Sequence, residues 1–250
     1  MIDTHCHLDK EDYEDLDIII SNMKENLMIA SGYDYKTSKN AIELANKYKN
    51  IYCTIGIHPS EVKTTSIKTL ELIKELAKNN KVVGIGEIGL DFHWDQDNKE
   101  QQKKYFINQI NIAKECNLPI VIHSRDANND TLEVLKNNLG DTKAILHCYS
   151  GSYELAKEFI KLGVKFGIGG VLTFKNSKKL IEVVEKLGLE NFVLETDSPY
   201  LTPEPFRGKK NEPYNIYYVA QKIAEIKNID FDTVIEITTK NALETFNIKN

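Results

Sequence analysis

Six histidines stand in this 250-residue chain, at positions 5, 7, 58, 93, 123 and 147. Five lie at or just beyond the end of a short apolar run, and His93 follows another run by a few residues. None falls in a stretch of helical period. His5 and His7 are one residue apart, so on a strand their imidazoles share a face and can grip one cation from one side. A lone histidine of this kind is more often a hydrogen-bonded core residue. The pair, with four more clustered in the same way, favours metal. Asp3 falls on the same face by alternation and, lying deeper, is placed to orient an imidazole.

Carboxylates recur in the same setting. Glu87 lies near the end of a buried run flanked by glycines, where a carboxylate is costly unless paired or metal-bound. It is placed to bridge two cations, and the glycines leave room for something close to the backbone. A rim salt bridge to lysine is the plainer alternative. Asp91 either joins the site or caps the following loop. His123 and His147 end two further runs. In Phe192-Val193-Leu194-Glu195-Thr196-Asp197 the two carboxylates share a face. Asp197 is placed to bind a cation and take a proton from its water, while Glu195 either supports a ligand or joins a buried ion pair.

Arginine is used only twice, at Arg125 and Arg207, against 30 lysines. Both follow runs that carry candidate ligands, and a planar guanidinium suits phosphate oxygens. Ordinary loop salt bridges explain either one equally well. Trp94, the only tryptophan, either stacks on a nucleobase or packs its own loop. The net charge of −5 excludes a surface that attracts polyanions everywhere, so nucleic acid would have to be held locally. Cysteines at 6, 53, 116 and 148 form no C-x-x-C pair, which suggests reduced thiols and a cytoplasmic location. Neither a membrane span nor a signal peptide is expected.

The elements that must position these residues are legible as an alternation. Apolar, β-branched runs occupy residues 1–7, 27–31, 51–57, 81–88, 119–123, 143–148, 164–169 and 191–196. Amphipathic stretches of helical period cover 65–78, 99–116, 153–162 and 180–187, with a helical tail at 214–227 and 231–246. Gly163 and Gly188 stand where helix C-caps are needed. Such alternation predicts an α/β fold with a parallel sheet. Eight strands in a single domain spanning 1–250 point to a (β/α)8 TIM barrel, whose active site forms at the C-terminal ends of the strands. A doubly wound open sheet shows the same alternation.

Taken together the motifs resemble the TatD-type metal-dependent DNases of the amidohydrolase superfamily. They are I-D-T-H-C-H at 2–7, G-I-H-P at 56–59, G-E-I-G-L-D at 86–91, H-S-R-D at 123–126, H-C-Y-S-G at 147–151, E-T-D-S-P-Y at 195–200 and R-G-K-K-N-E-P at 207–213. The resemblance spans nearly the whole chain. It implies a TIM barrel and a deoxyribonuclease, of the 3′-exonuclease type, acting on single-stranded DNA or frayed ends with no obligate protein partner. It also implies two divalent cations (Mg, Mn or Zn) on His5, His7, Glu87, His123, His147 and Asp197. His58 matches a histidine assigned to substrate or phosphate contact. The expected chemistry is phosphodiester hydrolysis by metal-activated water. In that scheme one cation sits on His5, His7 and Asp197 and the other on His123 and His147, with Glu87 between them. Asp197 accepts the proton, and Arg125, His58 and Arg207 hold the phosphate. The alternatives are an amidohydrolase or aminoacyl-tRNA deacylase using the same centre, and a metal-binding scaffold without activity.

Overall fold

Eight parallel strands hydrogen-bond in the order β1-β2-β3-β4-β5-β6-β7-β8 in the computed structural model, which describes residues 1–93 and 97–249. The strands are β1 (Ile2–Cys6), β2 (Leu27–Ser31), β3 (Ile51–Ile55), β4 (Val82–Asp91), β5 (Ile120–Arg125), β6 (Ala144–Leu146), β7 (Val164–Ile168) and β8 (Phe192–Leu194). Among the described residues, nine α-helices lie between and after them. They are α1 (Leu16–Asn22), α2 (Tyr35–Lys47), α3 (Thr69–Leu76), α4 (Lys99–Cys116), α5 (Asn128–Asn138), α6 (Tyr153–Ile160), α7 (Lys178–Lys186), α8 (Ile216–Lys227) and α9 (Phe231–Phe246). Among the described residues no helix is long and apolar enough to cross a membrane.

The ring closes between β8 and β1, just where two ligand motifs meet. Asp197 N donates to His5 O at 2.9 Å, and His7 N donates to Ser198 O at 2.7 Å. Below them the Asp3 carboxylate accepts from Thr196 N at 3.0 Å, Thr196 Oγ1 at 2.6 Å and His5 N at 3.2 Å. The sheet is therefore a TIM barrel, not a doubly wound open sheet.

Inside the barrel, Ile2, Ile29, Val83, Val121, Ile145 and Val193 pack with Ala242, Phe246 and Ile248. These side chains come from near the starts of their strands, so α9 seals the N-terminal end. Two positions further along the same face, Val121 gives way to His123 and Ile145 to His147. An apolar floor thus lies beneath a polar ceiling.

Helices α1, α2 and α5 lie outside the amphipathic stretches read from the sequence. Two carry start signals: Asp15 caps α1, and at α2 Asp34 and Thr37 satisfy each other's backbone N–H. Gly163 has φ +74°, as a left-handed helix end requires, whereas Gly188 sits at φ −70° and begins a short 3-10 turn instead.

Candidate metal centre

Strict alternation places His123 and His147, but irregular strands place the ligands of β1 and β4. Along β1, Asp3 pairs with Met28 but Cys6 pairs with Ala30, so β1 holds one extra residue. Along β4, Ile85 pairs with Ile120 but Ile88 with Ile122, again one extra residue. Such bulges reset which face a side chain occupies. The first separates Asp3 from the face of His5 and His7: Asp3 ties β1 to β8 and orients no imidazole. The second accompanies the inward turn of Glu87.

Helix α4 steadies the surrounding backbone through two buried glutamines. Gln109 bonds both Ile57 N at 2.7 Å and Ile57 O at 3.0 Å, next to His58. Gln102 bonds Asp91 N at 2.8 Å and Asp91 O at 2.9 Å. The glycines of β4 serve the neighbouring strand. A Cβ at Gly86 would lie 2.6 Å from Val121 Cβ, and one at Gly89, where φ is +141°, only 2.0 Å from His123 O. They let β4 lie tight against β5, which carries His123, so what they admit close to the backbone is the neighbouring strand.

Five imidazoles and two carboxylates converge. Two donors about 2.1 Å from a cation stand about 3.4 Å apart at a tetrahedral angle and about 3.0 Å at an octahedral one. His5 Nε2 lies 3.4 Å from Glu87 Oε2 and 3.6 Å from Asp197 Oδ1. His7 Nε2 lies 3.4 Å from Asp197 Oδ1 and 4.0 Å from Glu87 Oε2. On the other side, Glu87 Oε1 lies 2.8 Å from His123 Nδ1 and 3.1 Å from His147 Nε2. Most of these spacings lie near those of donors sharing a cation, whereas the shortest, from His123 Nδ1 to Glu87 Oε1, is a hydrogen bond. Among the described residues His5 Nε2 is fully buried without a hydrogen bond, and a cation would supply the partner. The donors of His5, His147 and Asp197 also lie within 4.8 Å of one another, as do those of His58, Glu87 and His123. His58 differs, because its Nδ1 accepts from Ser60 N at 3.1 Å. The proton of its neutral ring then sits on Nε2, 3.5 Å from Glu87 Oε1, as a donor.

Electrostatics follow from this packing. Burial alone would raise Glu87, but His147, His58 and His123 hold it well below its ordinary value. Burial alone would lower His147, yet Glu87 and Glu195 hold it well above. Burial drives His58 down to about 3, so it stays neutral. Asp197 is lowered against burial by His7, His147 and His5. Its backbone is left-handed at φ 54°, a conformation that aspartate adopts more readily than most residues other than glycine.

The centre opens into a cleft of about 1160 Å³. One wall is the loop after β1, with Asp9, Glu11, Asp12, Glu14 and Asp15; Arg125 lines the cleft at the end of β5. Tyr33 and Tyr200 lie edge-on to His7, at 5.9 and 6.0 Å between ring centroids. Of the expected phosphate contacts, Arg125 and His58 line the cleft. Arg207 does not, and its guanidinium lies 3.9 Å over the Phe174 ring. Trp94 lies outside the described residues.

A model of the family described as TatD related DNase matches residues 2–247. The chain belongs to the TatD-related family. Among its TatD relatives, an uncharacterized metal-dependent hydrolase of Bacillus subtilis, YabD, is 44% identical, with 99% of each chain covered. An uncharacterized metal-dependent hydrolase of Escherichia coli, YcfH, is 33% identical over 99% of this chain and 96% of its own. In structure, the TatD homologue YjjV of Escherichia coli superposes with a TM-score of 0.90 at 29% identity, covering 100% of this chain and 98% of that one. This TatD-family chain is a metal-dependent hydrolase by that kinship.

Sequence reasoning left the carboxylates behind the imidazoles undecided. Asp91 does both things it was offered: Oδ1 accepts from His93 N at 2.9 Å, and Oδ2 lies 3.0 Å from His123 Nε2. Glu195 faces His147 Nδ1 at 3.3 Å. Although two residues from Asp197, it serves a different imidazole, because β8 has ended and alternation no longer applies. Tyr33 and the glutamines of α4 were missed. The available signal was Gln102 and Gln109, seven residues apart on the buried face of one helix.

Proposed function

We propose that this TatD-family chain is a metal-dependent phosphodiester hydrolase that removes nucleotides from the 3′ ends of single-stranded DNA. His5, His7, Glu87 and Asp197 would hold one divalent cation, and His123, His147 and Glu87 a second. Magnesium, manganese and zinc are all admitted, although an imidazole-rich donor set leans away from magnesium. The single observation that carries the reading is Glu87, whose two oxygens face different sets of imidazoles. Bound cations would polarise a phosphoryl oxygen and lower the pKa of water.

The chain's own residues supply the rest. Asp197, held ionised beside His5 and His7, accepts the proton of the attacking water. His58, neutral with its Nε2 proton turned inward, donates to a phosphate oxygen. Arg125 neutralises charge from β5, diametrically across the barrel from β1. The carboxylates after β1 repel phosphates, so the nucleic acid is steered to the Arg125 side. The family description supports DNA as substrate.

That acidic wall also favours a second reading, hydrolysis of aminoacyl esters, whose ammonium group would meet Asp9 and Asp12. End-labelled single-stranded DNA and aminoacyl-tRNA, offered to metal-stripped protein with Mg²⁺, Mn²⁺ or Zn²⁺ restored in turn, separate the two. Loss of a 3′ label with retention of a 5′ label is the expected result. Deacylation with intact DNA would replace the first reading by the second.

A further inference from the structure

The imidazoles of the two half-sites are held differently. His147 presents Nε2 to Glu87 at 3.1 Å, while its Nδ1 faces Glu195 Oε1 at 3.3 Å. His123 presents Nδ1 to Glu87 at 2.8 Å, while its Nε2 lies 3.0 Å from Asp91 Oδ2. A second carboxylate thus stands behind each ring: Asp91 is hydrogen-bonded to His123 Nε2, and Glu195 faces His147 Nδ1 at ion-pair distance, without a hydrogen bond among the described residues. The other half has no such support. His7 Nδ1 meets only the Ser31 carbonyl, at 3.2 Å, and His5 Nδ1 is buried with no hydrogen-bond partner among the described residues.

We propose that Glu195 and Asp91 are positioning residues that give the His123–His147 half the tighter hold on its cation. A carboxylate behind a ligand imidazole fixes the ring, selects its tautomer and raises its basicity. This proposal rests on the two-cation reading above and concerns the relative strength of the halves.

Glu195 carries the argument furthest. It has 0% exposure, and its Oε2 finds no partner among the described residues. Oε1 accepts from Cys148 N at 2.6 Å, which pins the turn immediately after His147. The β1–β8 seam does not need Glu195, because Asp3 and Thr196 close it. An acid kept inside with one oxygen unpaired is a burden on folding. The chain nevertheless makes space for it, since a Cβ at Gly167 would stand 2.0 Å from Oε2. Asp91 is fixed with similar care: Gln102 holds its backbone at both N and O, so Oδ2 is aimed at His123.

The test is a Mn²⁺ titration of metal-stripped protein, with free ion counted by electron paramagnetic resonance. Wild type takes up two equivalents of unequal affinity. In Glu195→Gln and in Asp91→Asn the tighter equivalent weakens by roughly 10- to 100-fold, and the weaker one is unchanged. His5→Ala releases the weaker equivalent alone. Thermal unfolding provides the control. The expected result is a smaller rise on adding Mn²⁺, counted from each variant's own metal-free melting point, whereas a merely structural role would leave that rise unchanged. Should Glu195→Gln fail to fold, Asp91→Asn decides by itself. Unchanged affinities, or equal weakening of both equivalents, overturn the proposal alone. A wild type that binds a single equivalent must still lose affinity in both variants for the proposal to stand. A wild type that binds none overturns the metal reading itself.

Discussion

Replacing Glu87 by glutamine keeps the shape of the side chain and removes its charge from the middle of the cluster. Its Oε1 lies within 3.5 Å of nitrogens on His123, His147 and His58, and its Oε2 within 4.0 Å of His5 and His7. The residue is only 5% exposed, so water cannot replace the lost charge. Removing one member of a buried, hydrogen-bonded charge pair costs about 3–5 kcal/mol. At about 1.4 kcal/mol per decade, that corresponds to roughly a 10²- to 4 × 10³-fold loss of cation affinity. Both half-sites suffer, since both share this carboxylate. The assay pairs Mn²⁺ titration with release of 3′ label from single-stranded DNA. At a Mn²⁺ concentration that just saturates wild type, Glu87→Gln should be essentially empty and inactive. Excess Mn²⁺ should refill it without restoring full turnover. Full metal-dependent turnover at wild-type Mn²⁺ affinity would refute the bridging role and with it the reasoning about the centre.

Other perturbations separate the remaining assignments. Arg125→Ala should raise KM for DNA about 10-fold, as loss of a charge-assisted hydrogen bond would. Arg207→Ala, which loses the stack on Phe174, should leave kcat/KM unchanged; equal effects from the two would return Arg207 to the substrate path. In the metal-free protein His147 has a raised pKa, so its contribution to stability is complete below its ordinary value of 6.5 and fades as pH rises through the folded value. Metal loading must displace that proton, so Mn²⁺ affinity should climb with pH over the same interval. Calorimetry in buffers of different ionisation enthalpy should show proton release, and buffer-independent heats would contradict the raised value. Gly89→Ala drives a Cβ to 2.0 Å from His123 O at φ +141°. The cost should be about 3 kcal/mol, or roughly 6–12 °C in Tm at this length. A drop below about 2 °C would mean that β4 and β5 are free to part.

Much of this molecule was legible from residue types and their order. Eight apolar runs separated by helical stretches imply the parallel barrel, because a strand buried on both faces must be apolar and a crossover must carry a helix. Histidines at the ends of those runs imply a metal centre, since the chain has no cheaper reason to end so many buried strands with imidazoles. The i, i+2 step from Val121 to His123 and from Ile145 to His147 follows from strand periodicity alone. The closure of β8 on β1, and everything depending on an extra residue, was decided only in three dimensions. The bulges in β1 and β4 reset the faces of Asp3 and Glu87, and no local pattern announces them, because a bulge is defined by the partner strand. Glu195 and Asp197 share a face by alternation, yet one stands behind His147 and the other before His5 and His7. Arg207 reads as a phosphate clamp by position and packs on Phe174 instead. Periodicity describes one chain segment against an ideal lattice, whereas a binding site is a relation between segments. Its distances exist only once the ring has closed.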